Sequence, residues 1–87
     1  MTTVAITANY VPSGDDWSVR VTGGHRTLNA LAPGLIAARD QADQFVERLS
    51  AGYADRAVVH LLQGDAYAFT VAYLQARHGV RISLDAI

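Results

Sequence analysis

Hydrophobic and polar residues alternate from the start of the chain, and further along the period changes. Val4, Ile6, Ala8 and Tyr10 fall on one side, with Thr3, Thr7 and Asn9 on the other. This predicts a strand over Thr3–Val11 with one apolar face. Pro12, Ser13, Gly14 and the Asp15-Asp16 pair read as a turn longer than a two-residue hairpin. A second strand is expected over Trp17–Thr22, with Trp17, Val19 and Val21 facing one way and Ser18, Arg20 and Thr22 the other. One apolar and one polar face suits an antiparallel sheet covered on one side. Gly23-Gly24 marks a second reversal, and a short third strand follows over Arg26–Ala30.

Beyond Ala30 the spacing lengthens to that of a helix. Leu35, Ala38, Ala42, Phe45, Val46 and Leu49 make one stripe, and Asp40, Asp43, Gln44, Glu47 and Arg48 lie opposite. A helix is therefore expected over Pro33–Ser50, with Pro33 in its first turn and Ala32 as a weak N-cap. Ala57–Leu62 is apolar almost throughout and reads as a more buried strand. Asp65 fits the N-cap of a second helix over Ala66–His78, and Gly79 its C′ position. Val80, Ile82 and Leu84 alternate with Arg81, Ser83 and Asp85, the pattern of a fifth strand. The whole order predicts one small α+β domain over residues 1–87. It comprises a three-stranded antiparallel meander, a helix, a fourth strand, a second helix and a short C-terminal strand.

The second helix departs from simple amphipathicity. Phe69, Ala72, Tyr73 and Ala76 form one stripe, and Tyr67, Val71 and Leu74 a second, roughly opposite. An exposed Val or Leu forfeits about 1.5–3 kcal/mol of burial. A domain this small has few elements with which to wrap a helix. Either the tail strand folds back over the second stripe, or helix and tail form an interface. Tyr67, Val71, Leu74, Val80, Ile82 and Leu84 are accordingly the expected interface residues, most simply of a homodimer.

Composition narrows the picture. Half of the 87 residues are hydrophobic (51%) and 17% are charged, which fits a globular chain. All seven basic residues are arginines, scattered along the chain, and the net charge is −1. Nucleic-acid binding therefore lacks its usual basic stripe. Arginine in place of lysine, with abundant alanine, points to a GC-rich genome such as that of an actinobacterium or its phage. The chain has no cysteine, so disulfides and thiolate metal sites are excluded. No apolar run has the length of a membrane span and no secretory leader is read, so a cytoplasmic location is expected.

Candidate chemistry is sparse. His60 lies within an apolar strand and reads as a satisfied sheet-face histidine. His25 follows Gly-Gly in a turn, and His78 meets the negative end of a helix dipole. Asp15-Asp16 are turn residues that accept backbone N–H groups. Arg39 and Asp43 are spaced to pair across one helical turn. No nucleophile elbow, thiol, phosphate loop or metal-ligand spacing occurs, so neither an enzyme nor a cofactor is expected.

Between Val4 and Leu62 the chain resembles small HicB-like antitoxin domains. A short strand precedes a turn ending in an aromatic, Gly14-Asp15-Asp16-Trp17, which opens the next strand. A third strand leads through Leu31 into a helix carrying Ala38-Arg39-Asp40, and a fourth strand follows. The resemblance implies a β-β-β-α-β core related to RNase H and double-stranded-RNA-binding domains. It also implies action by protein contact, the domain covering a small basic ribonuclease toxin. On that reading Asp40, Asp43 and Glu47 form the acidic face that meets the partner. Ala32-Pro33 stands where the family has a polar helix cap. The C-terminal DNA-binding domain usual in full-length members has no counterpart in Ala66–His78, which carries one arginine. The expected function is a non-enzymatic interaction module, dimeric, with a small basic protein as partner. A dimeric nucleic-acid-binding regulator and a phage or actinobacterial protein that intercepts a host factor are the alternatives.

Overall fold

The elements, in chain order, are β1 (Thr3–Ser13), β2 (Asp16–Gly23), β3 (Arg26–Ala32), α1 (Leu35–Ser50), β4 (Asp55–Leu62) and α2 (Ala66–His78). They come from a computed structural model that describes residues 2–79. The domain is a small α+β one with a four-stranded mixed sheet in the order β3-β2-β1-β4. β1 pairs antiparallel with β2, and β2 antiparallel with β3, while β1 and β4 run parallel. A parallel neighbour requires a crossover, and α1 supplies it, carrying the chain from the β3 edge across one face to the β4 edge. The fifth strand expected over Val80–Asp85 lies outside the described residues.

The β1–β2 hairpin is tighter than the sequence suggests, whereas the reversal at Gly23-Gly24 is the tight one expected. The β1–β2 ladder continues through Val11↔Ser18 and Pro12↔Trp17 to Ser13↔Asp16, leaving only Gly14 and Asp15 as the loop. The expectation of a longer turn is corrected. Pro12 lies past the end of β4, whose pairing with β1 stops at Tyr10↔Leu62, so β1 is an edge strand at this point. A proline is tolerated there because no second neighbour needs its missing N–H. Gly14 takes φ +61, the left-handed region that a two-residue hairpin loop demands and glycine meets without strain.

The start of α1 also differs. β3 extends to Ala32, which pairs with Trp17 and is buried, so Ala32 is a strand residue and not a cap. The N-cap is Gly34, in extended conformation and without a side-chain cap bond, and Pro33 precedes the helix. Sheet pairing and burial of Ala32 outweigh the helical preference of proline's fixed φ.

Val4, Ile6, Ala8 and Tyr10 of β1 and Val19 and Val21 of β2 form the floor of the core. The α1 stripe Leu35, Ala38, Ala42, Phe45, Val46 and Leu49 covers it, all six buried as the spacing predicts. α1 lies chiefly over β2 and β3, and α2 lies over β4. Among the described residues β4 is an edge strand, and the expectation of a more deeply buried one is corrected. Val58, His60 and Leu62 face the helices and are half-buried, whereas Val59 on the other face is 42% exposed. A continuous apolar run produced partial burial here because, among the described residues, only one face of the sheet has a covering layer.

Candidate functional site

α2 reaches the core through one buried side chain, Phe69. Its ring stacks on Tyr10 with centroids 4.7 Å apart and on His60 at 5.2 Å, and Tyr73 continues the stack at 5.5 Å. Such aromatic pairs contribute about 0.5–1.5 kcal/mol beyond area burial. Two features hold the helix ends. The Asp65 side chain accepts from the Ala68 N–H at 3.0 Å, and Gly79, at φ 66, donates its N–H to the Gln75 carbonyl at 2.9 Å. Both caps agree with the sequence reading.

The Tyr10 hydroxyl and His60 Nδ1 are 2.9 Å apart. Tyr10 is buried, and its O–H has no other acceptor among the described residues. The phenol therefore donates to Nδ1, which places the imidazole proton on Nε2. Burial pushes the phenol's pKa well above its ordinary range, with Arg39 opposing and Asp43 and Tyr73 adding. Burial also lowers the pKa of His60 below 6.5, Arg39 lowering it further and Asp43 opposing. Neutral imidazole and neutral phenol are thus the pair that fits this site. Protonating Nδ1 would turn it into a donor and leave the phenol proton without an acceptor. His60 is a satisfied sheet-face histidine, as its setting in the sequence suggested.

The outward side of α2 carries the expected interface residues. Tyr67 is 56% exposed, and Val71 and Leu74 are half-buried. Val80, Ile82 and Leu84 lie outside the described residues. On α1, Asp40, Asp43 and Glu47 are all exposed. Asp43 is paired with Arg39 and Glu47 with Arg56, so two of the three acids have internal counterions. Arg39 and Arg77 both lie over the Tyr73 ring, each 5.9 Å from its centroid. The acidic row of α1 therefore borders α2 through the Asp43–Arg39–Tyr73 chain. His25 and His78 are exposed.

The face of the sheet opposite the helices, uncovered among the described residues, holds a group of residues that reading the strands singly misses. The ladders place Asn29, Arg20 and Asn9 in one row across β3, β2 and β1. A hollow of about 400 Å³ opens beside this row between Asn9, Val11, Pro12, Ser13, Ser18 and Arg20. The signal available in the sequence was hairpin register. With two-residue loops at Gly14-Asp15 and Gly24-His25, counting outward pairs Asn9 with Arg20 and Arg20 with Asn29. Compared with known proteins, the chain matches no family model, no curated protein and no solved structure.

Proposed function

We propose that the chain is a non-enzymatic protein–protein interaction module of the HicB-like antitoxin kind, a cytoplasmic homodimer that binds a small basic protein. The observation that carries this reading is the outward side of α2. Tyr67 projects 56% exposed, and Val71 and Leu74 are only half-buried, on a helix whose one buried anchor is Phe69. Covering the stripe would recover apolar burial that the isolated domain forgoes, and a two-fold contact needs only one self-complementary patch. Charge has a secondary role. Asp43 and Glu47 are already neutralised by Arg39 and Arg56, which leaves Asp40 as the acid of the row without an internal counterion among the described residues.

Light scattering at micromolar concentration tests the dimer. A dimeric mass that falls to monomeric in Val71→Glu supports it, and a monomeric wild-type mass refutes it. The partner is tested by nuclease-treated pull-down read by mass spectrometry. One small basic protein, retained by the wild type and lost with Val71→Glu or with charge reversal at Asp40, Asp43 and Glu47, is the expected result. Retention unchanged by all of these substitutions would overturn the assignment.

A further inference from the structure

On the face of the sheet turned away from the helices, hydrogen-bond donors surround Arg20, and Asp16 lies on the same face of β2, four residues along the strand and paired with Ser13. Arg20 Nε donates to Asn29 Oδ1 at 3.1 Å. That bond fixes the guanidinium and leaves its two terminal NH₂ groups for something else. It also engages the carboxamide oxygen of Asn29, which orients the amide and leaves its NH₂ free to donate. Asn9 is committed in the same sense, because the Gly64 N–H donates to Asn9 Oδ1 at 2.9 Å. A backbone N–H can only donate, which settles the orientation of the Asn9 amide and leaves its NH₂ as the free group. The row Asn29–Arg20–Asn9 is therefore a row of donors.

The hollow next to it, about 400 Å³, is lined by no carboxylate; the acid that borders it, Asp16, pairs with Ser13 at the end away from Arg20. Its polar lining is Asn9, Ser13, Ser18 and Arg20, and Val11 and Pro12 form its apolar part. Arg20 has no ion pair among the described residues. The volume falls within the range of about 300–1,000 Å³ typical of small-molecule sites. It exceeds what an isolated oxyanion would fill.

We propose that this hollow binds a small organic carboxylate bearing an apolar substituent, with the carboxylate on Arg20 and the apolar group against Val11 and Pro12. One guanidinium supplies one charge and two coplanar donors, which match a carboxylate's charge and its two oxygens. A phosphate dianion would be only half neutralised there. The site lies on the face opposite α1 and α2, so it stands or falls independently of the interaction-module reading.

The test is an amide-resolved NMR titration of the full chain with N-acetyl-L-valine. The neutral N-acetylvalinamide and inorganic phosphate serve as separate arms. Saturable shifts at the Asn9 side-chain amide, Ser18 and Arg20 are expected, with Kd on the order of 1 mM. The neutral amide should bind at least about tenfold more weakly, as should N-acetylvaline to Arg20→Gln, since each lacks one side of a charge-assisted pair. Arg20 is exposed, so its replacement leaves the core packing intact. Three outcomes would overturn the proposal: no saturable shift, equal binding of acid and amide, or phosphate binding as tightly as the carboxylate.

Discussion

α1 and α2 dock on the same face of the same sheet, and the sheet holds them by different means. α1 buries six side chains, four of them large, over β2 and β3. α2 buries one, Phe69, and rests on the edge strand β4. Full burial of a large apolar side chain contributes about 1.5–3 kcal/mol, so α1 carries most of the domain's stability and α2 the smaller share. The elements with the least at stake in folding have the most surface to offer a partner. In α2 that surface is Tyr67, Val71 and Leu74, and its attachment is an aromatic stack with one hydrogen bond, Tyr10 to His60, beneath it.

The contrast can be broken most forcefully at α1. Phe45→Ala empties the centre of the α1 stripe and should cost about 3–5 kcal/mol, enough to threaten the whole fold of so small a domain. Chemical denaturation should show one cooperative transition at a much lower midpoint. Phe69→Ala should cost less, roughly 3 kcal/mol, because the site lies at the rim and can partly collapse. Its signature is regional. Amide exchange should accelerate throughout Ala66–His78 while β1 and β2 keep their protection, and equal loss in both regions would erase the distinction.

Acid sharpens the same comparison. His60 is held neutral in the folded state, its pKa below the ordinary 6.5, chiefly by burial. The unfolded chain therefore takes up this proton at higher pH than the folded chain does. The stabilisation is complete above the unfolded value and is lost as pH falls through the folded one. The loss should appear first in α2, read as exchange or as Tyr73 and Phe69 ring shifts between pH 7 and pH 5. His60→Gln, which keeps an acceptor for the Tyr10 hydroxyl but does not titrate, should remove that step. The smallest effect is expected from Asp65→Ala, which deletes the α2 N-cap at a cost of about 1 kcal/mol. It should fray the first turn of α2 and leave the α1 region unchanged.

Some of this was legible in the chain and some was not, residue by residue. The six-residue α1 stripe and the inward row Val4, Ile6, Ala8 and Tyr10 were set by spacing alone, because helical and strand periods are local properties of the backbone. Asp65 and Gly79 announced the ends of α2 for the same reason: capping chemistry acts over three or four residues. Pro12 misled, since a proline reads as a break unless the strand is known to be at an edge. Pro33 misled likewise, because sheet pairing carried β3 through Ala32. The apolar run Ala57–Leu62 could not report that one of its faces lacks a cover among the described residues.

Periodicity and end-capping thus determined the class of the fold, the residues of α1 that enter the core and the limits of α2, all through interactions between neighbours in sequence. The tertiary structure alone decided that β4 runs parallel to β1, at the edge of the sheet among the described residues, and that His60 meets a phenol from a strand 50 residues away. It likewise decided that the turn expected to be long closes in two residues, the register that sets Arg20 between two asparagines beside one hollow. Each of these depends on which strands become neighbours and in what register, and register is fixed by the packing of the whole domain rather than by any one segment.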